Sequence, residues 1–177
     1  APAPEIRPRP WRAVAWAVAI VLALGLATTD VLYRVLVLNA GELARAGKLA
    51  EARGLYETVL RFNPASVEAI DGLAYDAMAA GDTRVALERW ERSIRLNPTS
   101  AYARVGIGQT YLQLGRVDDA IAHLERAIVL APDQPSGFLL LANAYAKKGD
   151  REKAEAMRAR ASRAGSGGAA PATRIGY

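Results

Sequence analysis

The 177-residue chain contains no cysteine, a single histidine, two methionines and two phenylalanines. Without cysteine it can hold neither a disulfide nor a thiolate metal site, and it has no cysteine nucleophile. With His123 as its only histidine it cannot build a histidine metal cluster or a serine–histidine triad from its own residues. Zero cysteines fit an oxidising compartment and a reducing one alike. No glycine-rich phosphate loop is present, because the glycines are spread at regular distances instead of clustered. Aromatic residues make up only 7% of the chain and do not interleave with its basic residues, which argues against nucleic acid as a partner. The expectation is a protein that is not an enzyme and has no metal or cofactor.

Regularity is what the chain does have. Gly47, Gly81, Gly115 and Gly149 stand 34 residues apart, and Ala52, Ala86, Ala120 and Ala154 keep that step five residues later. Pro64, Pro98 and Pro132 repeat on the same step, two of them after asparagine. A period of this length is the signature of stacked helix pairs. In the third unit Tyr102 to Leu114 is apolar at helical spacing and Gly115 supplies a turn. Val117 to Leu130 then forms a second amphipathic helix, stopped by Ala131-Pro132. Neither helix can bury its apolar stripe alone, so the units must stack, each touching only its neighbours.

These residues resemble the tetratricopeptide repeat (TPR), whose pattern is W-x2-L-G-x2-Y, then A-x3-F, then P. The third unit supplies Ile107-Gly108, Tyr111, Ala120, Leu124 and Pro132, with Arg104 at the tryptophan place. The second reads Ile70, Leu73-Ala74, Ala77, Ala86, Trp90 and Pro98, and the fourth Phe138, Leu141-Ala142, Tyr145 and Ala154. Arg158 replaces the aromatic of the fourth unit on an alanine-rich, charged helix, Arg151 to Arg163, which reads as a cap that solvates the end. The first unit keeps Gly47, Ala52, Tyr56 and Pro64 but has Asn39 where leucine is expected, and burying that amide unpaired would cost about 1–3 kcal/mol. Asp82 and Asp118-Asp119, just after the turn glycines, read as helix caps.

The resemblance implies an all-α solenoid of about four helix pairs over residues 31–165, with units at about 33–66, 67–100, 101–134 and 135–165. It also implies a concave groove lined by the first helix of each pair. The groove-facing places carry Glu68, Asp71, Tyr75 and Met78, then Tyr102, Val105, Gln109 and Leu112, then Leu139, Asn143 and Lys147. This apolar and aromatic lining with a few amides suits an amphipathic helix or an extended segment of a partner protein. For each residue the alternative is that it packs within the array.

Before the repeats, Ala13 to Thr29 carries no charged residue. At about 1.5 Å per residue it extends roughly 25 Å, close to a hydrocarbon core of about 30 Å. The expectation is a single transmembrane helix at residues 11–30, with Trp11, Trp16, Ile20, Leu22 and Leu24 in lipid or at its interfaces. The alternative is a cleaved signal peptide ending at Gly25-Leu26-Ala27. The start at Ala1, which reads as the loss of methionine alone, favours a retained anchor. Arg7, Arg9 and Arg12 precede the run, so the positive-inside rule puts the proline-rich tail, 1–10, in the cytoplasm and the repeats in the periplasm of a bacterial inner membrane. Thr28-Thr29-Asp30 could start a new helix, or the span could run unbroken into the first repeat.

The net charge is +5, concentrated in the last unit, where Lys147, Lys148, Arg151, Lys153, Arg158, Arg160 and Arg163 face only Asp150, Glu152 and Glu155. This is either a solvated terminal helix or a basic face for an acidic partner or anionic lipid. A glycine- and alanine-rich tail, 166–177, completes the chain. Together these features point to a membrane-anchored scaffold that docks subunits of a membrane complex. The contrasting reading is a permanent accessory subunit of an electron-transfer or photosynthetic complex, held through its transmembrane helix and tails.

Overall fold

Local signals repeat from unit to unit, and they cut the chain into helices at the same places. The computed structural model describes residues 31–166, and these form eight α-helices: α1 (31–45), α2 (Leu49–Phe62), α3 (Val67–Ala79), α4 (Thr83–Leu96), α5 (Ala101–Gln113), α6 (Val117–Leu130), α7 (Pro135–Lys148) and α8 (Arg151–Ser166). Ser66 and Ser100 cap α3 and α5, their hydroxyls accepting from Ala69 N at 3.4 Å and Ala103 N at 3.1 Å. Asp82 caps α4 by accepting from Val85 N at 3.2 Å, and Asp150 caps α8 by accepting from Lys153 N at 3.1 Å. Each hairpin turns on its glycine, with φ of +77°, +81°, +71° and +88° at Gly47, Gly81, Gly115 and Gly149. In all four turns the N–H after the glycine reaches back five residues: Lys48 to Leu43, Asp82 to Ala77, Arg116 to Tyr111 and Asp150 to Tyr145, at 2.9 to 3.0 Å. This is the left-handed helix stop that glycine adopts without a side-chain penalty.

Among the described residues the core is divided into three apolar clusters strung along the solenoid. Two seams between units share a device. The ring of Tyr56, from α2, lies so close to Gly72 on α3 that a Cβ there would sit 2.3 Å from it, and Trp90 of α4 lies on Gly106 of α5 at 2.4 Å. One period later Leu140 takes the place of the glycine and packs against the cluster that contains Leu124. Polar links cross the same seams. Arg53 Nε donates to Asp76 at 2.7 Å, Tyr145 Oη donates to Glu125 at 2.6 Å and Lys148 Nζ to Asp118 at 2.6 Å.

Two expectations change, and a third group lies outside the described residues. Asn39 lies exposed on α1, so no amide is buried there: nothing among the described residues stacks over its face of the helix. Asp118 and Asp119 occupy the first turn of α6 but do not cap it; Asp119 accepts from Arg116 at 2.7 Å and Asp118 pairs with Lys148, because the residue before α6 is Arg116 itself. The proline-rich tail, the expected span with Trp11, Trp16, Ile20, Leu22 and Leu24, and the tail after Ser166 lie outside the described residues. Among the described residues, no helix is long and apolar enough to cross a membrane.

Candidate partner-binding groove

The stacking gives the array an inner and an outer side. Helices α3 and α5 touch one another, as do α5 and α7, whereas α4, α6 and α8 have no comparable mutual contact. First helices are therefore crowded on the inside of a curve and second helices are splayed outside.

The inner side brings together most of the residues expected to line it. Tyr75, Tyr102 and Leu139 are 44%, 58% and 54% exposed, large apolar or aromatic side chains left open to solvent. Glu68, Asn143 and Lys147 are also exposed, and Val105 and Gln109 are half-buried. Asp71, Met78 and Leu112 are buried, at 8%, 3% and 8% exposure, and belong to the packing of the array rather than to an open surface.

Two cavities open on this side. One of about 490 Å³ is lined by Tyr102, Val105 and Gln109 together with Gln134, Gly137 and Leu140. The other, about 320 Å³, is lined by Tyr75 and Tyr102 with Gly41, Arg45, Tyr56 and Gly72. Tyr102 is common to both and stands between them. Its ring meets Trp90 edge-on at 5.6 Å, which fixes its base while more than half of the side chain stays exposed. Tyr56, Gly72 and Leu140 were not expected in the groove. The signal for them is the place shared by Gly72, Gly106 and Leu140 one period apart, opposite an aromatic in the preceding unit for the two glycines.

Beneath the tyrosines lies Asp71. Burial pushes its carboxyl up to about 6, the Ser93 hydroxyl opposes the shift, and Glu68 adds to it. One oxygen, Oδ1, is sealed from solvent without a hydrogen-bond partner. The Tyr102 phenol is raised by burial first, then by Asp71, Tyr75 and Tyr56 around it. His123 lies away from this surface, on α6. It packs against Tyr111 at 5.6 Å, and its pKa is lowered by burial and by Arg104 and Arg126. Among the described residues no group of three or more histidine, cysteine or carboxylate side chains is positioned to hold a metal ion.

An α-solenoid of helix hairpins with an open inner groove defines a protein-interaction repeat. The sequence matches the tetratricopeptide repeat family over residues 72–135 and again over residues 138–168, together more than half of the chain, and the chain belongs to that family. No curated protein gives a significant sequence match. Among solved structures, the chain is similar to TTC0263, a thermophilic TPR protein of Thermus thermophilus, at 24% identity and a TM-score of 0.70 over 75% of this chain and 74% of that one. It is similar to MamA at 23% identity and a TM-score of 0.66, covering 77% of this chain and 80% of the other. The MamA fragment from residue 41 to its end, from Desulfovibrio magneticus RS-1, gives 18% identity and a TM-score of 0.66 over 78% of both chains. At these identities the likeness is one of fold. The fold is that of a scaffold for protein–protein interaction.

Proposed function

We propose that the chain is a membrane-tethered docking scaffold: residues 11–30 hold it to a bacterial inner membrane, the repeats face the periplasm, and the inner groove seats a segment of a membrane-complex subunit. It works by binding, without catalysis of its own. The observation that carries this reading is the row Tyr75, Tyr102 and Leu139, large side chains exposed on successive inner helices beside two cavities. Tyrosine is among the side chains that supply most of the energy of an interface when a partner covers them. The tether rests on the uncharged run Ala13 to Thr29 and on the arginines before it.

The test is a co-purification from native membranes in mild detergent, comparing the tagged wild-type chain with a Tyr75→Ala, Tyr102→Ala, Leu139→Ala variant. A partner recovered in near-equal amount with the wild type and lost with the variant supports groove docking. Retention despite the variant, with loss on truncation after Ser166, supports the accessory-subunit reading, in which the tails hold the chain in its complex.

A further inference from the structure

The register of the repeats singles out one face of α1. In units two to four, three positions on the first helix meet the preceding unit: Ala69, Gly72 and Asp76 on α3, and their equivalents one and two periods on. All nine are buried or half-buried. The equivalent residues of α1 are Val35, Leu38 and Glu42, and all three are exposed. At the first two of these places the inner units use mostly alanine or glycine, to admit an aromatic ring; α1 instead carries large aliphatic side chains, 46% and 67% exposed. Val31 and Leu32, at 61% and 54%, extend the apolar face toward the start of the helix.

We infer that this face of α1 is a foot that rests in the interfacial layer of the lipid bilayer, so that the solenoid stands on the membrane at its first helix. The inference rests on the tether reading above. A stacked protein neighbour would cover the full length of the face, as it does in the inner units, and would bury Glu42, which is exposed and ion-paired to exposed Arg45. Lipid covers only the end nearest the tether. The face is graded in that way: apolar at Val31, Leu32, Val35 and Leu38, then polar at Asn39 and Glu42. The apolar end is the one nearest in sequence to the uncharged run Ala13 to Thr29, from which only Asp30 separates it. At the same end Tyr33, stacked at 6.2 Å on Phe62, which is itself 66% exposed, is a side chain of the type that settles at headgroup depth. A second copy stacked head to tail fits poorly, because α8 offers Arg158 where the inner units offer an aromatic or leucine.

Because the chain lacks cysteine, single labelling sites can be introduced cleanly. The full chain, reconstituted in vesicles of phosphatidylcholine and phosphatidylglycerol, would carry a nitroxide at V35C, L38C, E42C or, as a water-exposed reference on α4, R84C. Collision rates with oxygen and with a water-soluble nickel chelate are then compared. The expected result is that labels at 35 and 38 favour oxygen by several-fold over the label at 84, while the label at 42 behaves as in water. If the chain does not float with the vesicles, the tether reading fails and the foot with it. If it floats but labels at 35 and 38 meet nickel as freely as the label at 84, the face is in water and the foot alone is refuted. If those labels are shielded from both reagents, protein covers the face, which also refutes it.

Discussion

One of the two seams where an aromatic ring lies on a glycine makes a quantitative prediction. Gly106 lies in the middle of α5, where replacing glycine by alanine ordinarily stabilises a helix by about 1 kcal/mol. Here the added methyl would sit 2.4 Å from Cε2 and Cζ2 of Trp90, against roughly 3.5–4.0 Å for carbon atoms in contact. The indole cannot retreat: it is 1% exposed, it is rigid, and Tyr102 closes one side of it. Overpacking of this kind costs about 1–3 kcal/mol, and the rigid neighbour puts this site at the upper end, so Gly106→Ala should destabilise by about 2 kcal/mol net of the helix gain. Trp90→Leu alone should cost about 2–3 kcal/mol through the space it vacates. In the double variant the methyl occupies that space, so the two losses should fall short of additivity by at least about 1 kcal/mol. Urea unfolding followed by far-ultraviolet circular dichroism measures all three, with Gly54→Ala as the control. Gly54 is also helical but has nothing within 4 Å of its virtual Cβ, so that change should stabilise by up to about 1 kcal/mol. If Gly106→Ala stabilises as Gly54→Ala does, or if the double variant is strictly additive, the account of this seam is wrong.

Other sites test different terms. Gly115→Ala meets no neighbour within 4 Å but forces a side chain into φ +71°, so it should cost about 1–2 kcal/mol by the same unfolding assay. Arg53→Ala strands Asp76, whose side chain is only 8% exposed, and should cost about 1–3 kcal/mol, Arg53 being half-exposed; Arg53→Lys should recover part of it. Asp71 sets a pH dependence. Its folded pKa of about 6 lies above the ordinary 3.8, so between these values the native state binds more protons than the unfolded state, and stability falls as pH rises through that window. Asp71→Asn should remove that fall and leave the protein more stable at neutral pH by up to about 3 kcal/mol, read by comparing unfolding at pH 4 and pH 7.5; an unchanged pH profile in the variant would contradict the assignment.

The repeat architecture was readable because its determinants are local. A glycine that must take positive φ, a capping serine or aspartate and a proline at the exit each act within one turn of chain, and a fixed period repeats them. The groove was half readable. Period alone identifies which residues point inward from α3, α5 and α7, but not how deeply each sits. Tyr75 and Asp71 are four residues apart on one helix, yet the first is open and the second sealed, because Ser93 and Tyr102, from the next two helices, close over Asp71. That closure depends on side chains distant in sequence, which no single-unit pattern contains. The same limit hid the roles of Gly72 and Gly106, whose meaning lies in Tyr56 and Trp90 of the preceding unit.

Those seams also bear on how such an array can change its length. By period the inner units look interchangeable, and a deletion of 34 residues should simply shorten the stack. The joints are keyed, however. Removing the second unit would join Tyr56 to Gly106, an aromatic ring to a vacancy of the right kind. Removing the third would join Trp90 to Leu140, two bulky groups with no room between them. The chain can therefore lose one repeat by a clean excision and not its neighbour, so the order of its units is set by the sizes of the side chains that meet across each joint.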